Sequence, residues 1–383
     1  MIIEVVFWVS LFLAGYTYFG YYLILLILSK LTHKNRKSDL NYTPTVSMVI
    51  AAYNEEKVIK DKIKNCLELD YPKDKIEFLI GSDGSNDNTN IILQHHQNSL
   101  ITPYFFESRR GKAAVINILA ENARGEILIF SDANTMYKKD AIGNLTKHFV
   151  DPQIGGVCGR LELLTPNDDI GGKGESLYWD YENQLKYLES KIKTVFGANG
   201  AIYAIKRNLF QKLPESIITM DDFLIPLKII GKKFDVVYEG KAIGREPTAS
   251  NLKGEFLRKI RISAGNFNSF KEIWPLLSPK KGFVAFGLWS HKIIRWFVPF
   301  LLIFIFITNL LLLGTSLYNI FFMLQLTFYL ASFYGFIVSA VFKTRVKIFS
   351  YCYYFISMNI ALLIGFFKFL FKTQKPTWAK LDR

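Results

Sequence analysis

The chain has 383 residues, half of them hydrophobic, with 33 Phe, 20 Tyr and a formal net charge of +14. That apolar and aromatic content exceeds what a soluble domain uses, so part of it must face lipid. Three widely spaced cysteines, Cys66, Cys158 and Cys352, exclude a disulfide scaffold and a C-x-x-C zinc site. The basic residues gather beside apolar segments, at 30–37, 280–281, 343–347 and 368–383, which fits anionic lipid headgroups better than nucleic acid.

Residues 5–28 carry no charge and are long enough to cross a bilayer core of about 30 Å. No basic residue precedes them and no small-residue cleavage site follows, so residues 1–30 read as a retained signal anchor. Lys30, Lys34, Arg36 and Lys37 come next, and with the linker 31–45 they place the following domain in the cytosol by the positive-inside rule.

From 46 to about 237, within a domain bounded at 46–250, short β-rich runs alternate with amphipathic stretches, the pattern of βαβ units around a mostly parallel sheet. Strands are predicted at 46–51, 76–81, 127–130, 156–161, 200–205 and 234–238. Helices are predicted at 55–69, 87–97, 111–122, 140–149, 175–190 and 221–230. Two acidic clusters follow apolar runs directly: Ser82-Asp83-Gly84-Ser85-Asn86-Asp87-Asn88-Thr89 and Phe130-Ser131-Asp132-Ala133-Asn134. Carboxylates at the carboxyl ends of parallel strands sit where open α/β sheets bind ligands, and the pattern suits nucleotide chemistry.

After Glu246-Pro247 the segment 251–292 turns basic and aromatic and is broken by Pro275, Pro279 and Gly282, as suits helices lying at a membrane interface. The region 293–371 holds two spans, 296–313 and 320–342, joined by an uncharged loop placed outside by the charge rule. Its last apolar stretch, 348–371, has two readings. It crosses, leaving Lys372, Lys375, Lys380 and Arg383 outside, or it turns back as a re-entrant or interfacial hairpin that keeps the basic tail 372–383 in the cytosol. Asn359, Gly365 and Lys368 weaken it as a lipid-facing span.

A set of motifs appears in order: Ala51-Ala52-Tyr53-Asn54-Glu55-Glu56, Ser82-Asp83-Gly84-Ser85, Arg110-Gly111-Lys112, Ser131-Asp132-Ala133-Asn134, Gly197-Ala198-Asn199-Gly200, Met220-Asp221-Asp222 and Arg258-x-x-Arg261. On these motifs the chain resembles the membrane-embedded family 2 glycosyltransferases over nearly its whole length. The resemblance implies a GT-A fold, a Rossmann-like α/β domain with a mostly parallel sheet, carried between amino- and carboxyl-terminal membrane helices. It implies transfer of a sugar from a nucleotide-diphosphate sugar, a UDP-sugar in this reading, with Mg2+ or Mn2+, to a lipid-linked or saccharide acceptor.

A nucleotide sugar presents a uracil edge, ribose hydroxyls and a diphosphate, so its site needs acceptors for N–H and O–H and positive charge for phosphate. Asp83 and Glu55 are suitable acceptors at adjacent strand ends, and the resemblance assigns such residues, with Ala52 and Asn54, to the nucleoside. Glu55 and Asp87 read equally as helix caps. Asp132, preceded by Ser131, is the candidate metal ligand, because Mg2+ and Mn2+ take oxygen donors and often only one or two carboxylates plus substrate phosphates. The family's D-x-D reads Asp132-Ala133-Asn134 here; Asn134 can still coordinate through its amide oxygen, and a strand-end Asx turn is the alternative.

Lys112 opens a predicted helix, where exposed N–H groups and the dipole add to its charge in favour of phosphate; a solvated basic turn is the other reading. The resemblance makes Asp222 the catalytic base, taking a proton from the acceptor hydroxyl as that oxygen attacks the anomeric carbon and inverts it. Plain helix capping is the competing account. Arg258 and Arg261 share one helix face and suit a clamp on the leaving diphosphate, or docking on anionic lipid. Gly197, Asn199 and Asp221 would shape the acceptor side, and Trp378 would cover the site if the tail is cytosolic. A processive exopolysaccharide synthase is the rival within the same chemistry, although Ile262 stands where processive members have Trp. A scaffold that has lost turnover remains open through Asn134, while few spans and no charge inside 296–313 speak against a transporter.

Overall fold

The computed structural model describes residues 1–32, 34–164, 170–214, 220–247, 252–341 and 346–374. The apolar runs become strands β1 (Val46–Ala52), β2 (Ile76–Asp83), β3 (Ile101–Phe106), β4 (Ile127–Asp132), β5 (Met136–Tyr137), β6 (Ile154–Leu164), β7 (Tyr203–Lys206) and β8 (Asp235–Pro247). They form an eight-stranded sheet in the order β3-β2-β1-β4-β7-β6-β8-β5. The half containing β1 to β4 is wholly parallel, β7 inserts antiparallel between β4 and β6, β6 and β8 run parallel, and β5 closes the edge antiparallel to β8.

Central strands such as Val46-Ser47-Met48-Val49-Ile50 are apolar on both faces because both faces are covered. One layer gathers Val49, Leu79, Val115, Leu119, Phe130 and Tyr203; the other gathers Met48, Ile50, Ile59, Ile63, Phe78 and Ile129. The parallel register sets Ala51 beside Asp132 and Ala52 beside Ser82, so the carboxyl ends of β1, β2 and β4 share one edge of the sheet.

Helices α1 (Ile2–Leu31), α2 (Ile59–Leu67), α3 (Thr89–His95), α4 (Lys112–Asn122), α5 (Ala141–Thr146), α6 (Ile170–Ile192), α7 (Asp221–Gly231), α8 (Leu252–Asn268), α9 (Phe283–Leu311), α10 (Ser316–Val341) and α11 (Lys347–Leu370) complete the described fold. Several differ from expectation. The helix predicted at 55–69 starts only at Ile59, because Asn54 has φ 55° and the amides of Glu55 and Glu56 are taken by Thr89 Oγ1 at 2.8 Å and Asp87 Oδ2 at 3.2 Å. The same contacts confine the helix predicted at 87–97 to α3. The helix predicted at 140–149 stops at Thr146 and tightens into a 3-10 turn, Lys147–Val150.

Strands β3 and β5 were not expected. Pro103 hides the first, and a proline is tolerated there because β3 lies on the sheet edge. The strand predicted at 200–205 begins only at Tyr203, since residues 199–202 are folded into a bridged turn.

Among the described residues four helices are long and apolar enough to cross a membrane: α1, α9, residues Ser316–Ser339 of α10, and α11. The span predicted at 296–313 instead begins at Phe283, because His291, Lys292 and Arg295 are buried against protein rather than exposed as a break in the apolar run. The interfacial segment predicted at 251–292 is correspondingly split: α8 packs along α11, and the part after Phe283 belongs to α9. Helix α11 runs unbroken from Lys347 to Leu370. Its polar interruptions face protein: Asn359 is 6% exposed, and Ser263 Oγ of α8 donates to the Leu362 carbonyl at 2.7 Å.

Gly365 permits this approach, for a Cβ there would stand 2.4 Å from Ser263 Cβ. Gly365→Leu should therefore destabilise the full chain by about 1–3 kcal/mol, the usual cost of overpacking. Gly143→Ala, whose added methyl meets nothing within 4 Å, should be neutral or stabilising. Thermal melts of the detergent-purified variants check both, and equal melting temperatures would refute the close α8–α11 contact.

Candidate active site

The shared strand edge is furnished by the turns that leave it. Asp83 ends β2, is fully buried, and accepts from the N–H of Arg110 at 2.6 Å and of Gly111 at 3.1 Å. Its carboxylate thereby fixes the turn that launches α4. Arg109, from the same turn, lies 3.6 Å above the Tyr53 ring and 3.9 Å from Asp83 Oδ2. Asn54 and Asn86 grip one another: Asn54 Nδ2 donates to Asn86 Oδ1 at 2.7 Å, and the Asn86 N–H donates to Asn54 Oδ1 at 2.9 Å. The loops after β1 and β2 are thus one unit.

Lys112 is the first residue of α4, and its Nζ sits 2.9 Å from Asp132 Oδ1 at the end of β4 and 3.3 Å from Asp221 Oδ1 at the start of α7. Burial alone would lower the Lys112 pKa, but the carboxylates of Asp132, Asp221 and Asp222 outweigh it and hold the ammonium charged. Asp221 is 4% exposed and also accepts from the Tyr203 hydroxyl at 3.2 Å. Asp222 differs from its neighbour. Burial and the Asp221 charge push its pKa up to about 6, against the pull of Lys112 and Lys186.

The turn 197–200 holds Asp222 in place. Ala198 N–H donates to the Asp222 carbonyl at 2.7 Å, Gly197 has φ +108°, and a Cβ on Gly200 would lie 3.0 Å from Asp222 Oδ2. Asn199 is fully buried and acts within the protein: its Nδ2 donates to the Gly159 carbonyl at 2.6 Å and its Oδ1 accepts from Lys186 Nζ.

A cavity of about 400 Å³ opens over these groups. Lys112, Asp132, Gly197, Asp221 and Asp222 line it, together with Arg258 and Arg261 from α8. Arg258 Nε donates to Glu255 Oε2 at 2.6 Å, which orients the face it shares with Arg261. Tyr18 of α1 and Tyr354, Phe355, Met358 and Leu362 of α11 line it as well. The cavity therefore joins the acidic cluster to helices with membrane-spanning length.

Other predicted site residues are placed elsewhere. Asp83, Asn54, Glu55 and Ala52 stand at the same strand edge but not on this cavity's wall, and the Ala52 side chain is in the core. Ser131 Oγ accepts from Lys62 Nζ at 2.7 Å, under the sheet from the cavity, and Asn134 is not among the lining residues. Trp378 lies outside the described residues.

Sequence reasoning missed several groups. Lys62 is fully buried, donates to Ser131 Oγ and to the Thr135 carbonyl at 2.6 Å, and so supports the Asp132 turn from below; burial lowers its pKa. Lys186, Glu182, Glu246, Lys292 and Arg295 also line the cavity. The Glu182, Lys186 and Glu189 spacing along one predicted helix was the available signal, since they share a face that reads as solvent-exposed until its neighbours are known.

The sequence profile described as Glycosyl transferase family 2 matches residues 47–213. Residues 47–213 are a family 2 glycosyl transferase domain. Among curated relatives of the chain carrying this domain, a poly-beta-1,6-N-acetyl-D-glucosamine synthase of Staphylococcus epidermidis is 24% identical over 250 residues, covering 64% of this chain and 60% of that protein. The same-named synthase of Staphylococcus aureus is 24% identical over 237 residues, covering 60% and 57%. The match thus spans about three fifths of these relatives' length. A solved mannosyltransferase from Pyrobaculum calidifontis, in complex with GDP-Man and Mn2+, superposes with a TM-score of 0.75 at 20% identity over 97% of this chain and 100% of that one. The shared GT-A fold therefore extends beyond the sheet to the helices around it.

The packing around Asp222 yields a direct test. Gly200→Ala sets a methyl 3.0 Å from Asp222 Oδ2, so the carboxylate must give by a few tenths of an ångström; if Asp222 is the base proposed below, transfer should fall about 10-fold or more while nucleotide affinity stays within about two-fold. Steady-state kinetics beside nucleotide titration would show it, and an unaltered rate would count against a catalytic role for Asp222.

Proposed function

We propose that the chain is an inverting, membrane-bound glycosyltransferase. It moves a sugar from a nucleotide-diphosphate sugar, a UDP-sugar in our reading, to a lipid-linked or saccharide acceptor in cell-surface polysaccharide synthesis. We place the catalytic domain at the cytosolic face of the plasma membrane. One observation carries this reading: a single cavity holds a carboxylate with a raised pKa, Asp222, alongside the cations Lys112, Arg258 and Arg261.

In the proposed reaction the acceptor oxygen attacks the anomeric carbon from the side opposite the diphosphate. The new C–O bond forms as the bond to the phosphate oxygen breaks, the nucleoside diphosphate leaves with the electron pair, and Asp222 takes the acceptor proton. Lys112, Arg258 and Arg261 meet the negative charge that collects on the leaving group. Asp83 acts one step back, because it fixes the turn from which Lys112 projects.

Asp132 fits a role as a metal ligand, since its side chain is 35% exposed at the cavity wall and offers a hard oxygen donor. Among the described residues no group of three or more His, Cys, Asp or Glu is arranged to hold a metal alone, so the substrate diphosphate would complete the ligand set. Bound there, Mg2+ or Mn2+ would add electrostatic stabilisation of the leaving diphosphate. The metal in the mannosyltransferase complex supports this assignment.

The wall contributed by α1 and α11 favours an acceptor that arrives from the membrane side. The names of the staphylococcal relatives support the second reading, a processive synthase of an N-acetylhexosamine polymer, against which Ile262 stands.

Detergent-purified protein incubated with a panel of nucleotide sugars and Mn2+ should release nucleoside diphosphate from one donor in preference to the rest. A single added sugar supports the first reading, a ladder of long products the second, and no release from any donor defeats both. Asp222→Asn should cut kcat by about 100- to 10,000-fold, the range expected for a lost general base. Because Asp222 works only when ionised and its pKa is raised to about 6, the rate should climb with pH through about 6 and fall below it. A profile that is flat from pH 5 to 7 by stopped assay would contradict the assignment.

A further inference from the structure

Helix α6 carries Glu182, Lys186 and Glu189 on one face, and all three are buried. Lys186 serves the Asp222 turn, donating to Asn199 Oδ1 and lying 3.5 Å from the Ala198 carbonyl. The two glutamates serve α9 and α1. His291 Nδ1 is 2.6 Å from Glu189 Oε1 and its Nε2 is 3.2 Å from Glu182 Oε2. Lys292 Nζ is 3.4 Å from Glu182 Oε2, and Arg295 Nη1 donates to Glu182 Oε1. From α1, the Tyr21 hydroxyl donates to Glu189 Oε1 at 2.9 Å.

A second observation falls at the same place. Both membrane-length helices loosen to π geometry where they meet, at Tyr16–Gly20 and Leu288–Ile293, a rare feature that concentrates at functional sites. The two stretches are fastened by Tyr16 Oη to Ser290 Oγ at 2.7 Å and by Thr17 Oγ1 donating to the Ser290 carbonyl at 3.0 Å. Adjacent residues of α9 thus serve different partners, Ser290 holding α1 and His291 holding α6.

Gathering this many ions away from water is costly, and such a cluster is poor evidence of stability for its own sake. Its location supplies the alternative. Glu182, Lys292 and Arg295 line the cavity on the side facing α1 and α11, while Lys186 reaches the turn behind Asp222.

We propose that Glu182 is a positioning residue for the acceptor side of the site: it draws His291, Lys292 and Arg295 of α9 onto α6, so one helix sets the spacing between Asp222 and the membrane-facing wall. In this arrangement α1 is part of the catalytic unit and not only an anchor. The acceptor role rests on the glycosyltransferase reading above.

The test uses the full chain in detergent with Glu182→Gln, which keeps size but removes the charge and one of the two accepting oxygens, and with Glu182→Asp. Glu182→Gln should raise the acceptor KM at least 10-fold, while nucleoside-diphosphate affinity and hydrolysis of the donor by water stay within two-fold; Glu182→Asp should recover part of the loss. An unchanged acceptor KM, or equal losses in all three quantities, overturns the proposal. A readout without turnover accompanies it: Thr17→Cys with Ser290→Cys, in a Cys352→Ser background, joined by a short thiol cross-linker. Adding Glu182→Gln should cut the cross-linked yield several-fold at a temperature below the melting transition of both proteins, and an undiminished yield refutes the placement. Should cross-linking respond as expected while the unsubstituted chain turns over no donor, the placement stands and the transferase reading falls.

Discussion

The site depends on one ammonium. Asp132, Asp221 and Asp222 come from two separate elements to the wall of one cavity, where their like charges repel. Lys112 makes that gathering tenable by standing within 3.3 Å of both Asp132 and Asp221. Its own position is set by Asp83, which spends both carboxylate oxygens on the turn ahead of α4. The two aspartates of α7 then have different surroundings: Asp221 is paired to Lys112 and Tyr203, whereas Asp222 packs against Gly200, and burial with the Asp221 charge raises the Asp222 pKa. A pair of adjacent carboxylates with different surroundings is what general-base chemistry near neutrality needs.

Helices of membrane-spanning length are built into this arrangement. The cavity above Asp222 is closed by α1, α9 and α11, and α8 reaches α11 through the contact that Gly365 allows. Helix α6 links the two regions by Lys186 on one side and Glu182 with Glu189 on the other. The chain is in this sense an α/β domain whose cavity is completed by apolar helices of membrane-spanning length.

Much of the framework was legible because local chemistry and tertiary role agree. Apolar runs such as those of β2 and β4 are buried and end in acidic turns, so Asp83 and Asp132 stood out by position, whereas Asp222 was singled out by the resemblance of Met220-Asp221-Asp222 to the family motif. What escaped notice was polar and distant. Lys62 lies in an amphipathic helix and reads as surface until its ammonium is found beneath Ser131. Glu182 and His291 lie 109 positions apart, and neither is informative without the other. His291, Lys292 and Arg295 also disguised the first half of α9, because hydropathy treats a charge met by protein like a charge met by lipid. Asp83 was visible as an acid at a strand end, but that its oxygens are turned toward the Arg110 and Gly111 amides depends on a loop fold that spacing does not encode.

The dependence of Asp222 on Lys112 can be read most directly from the pH profile of Lys112→Met. Removing the ammonium takes away an influence that holds the Asp222 pKa down, so the inflection in transfer rate should move above the value of about 6 expected for the unsubstituted chain. An inflection that stays where it was would show that Lys112 and Asp222 do not share one electrostatic site.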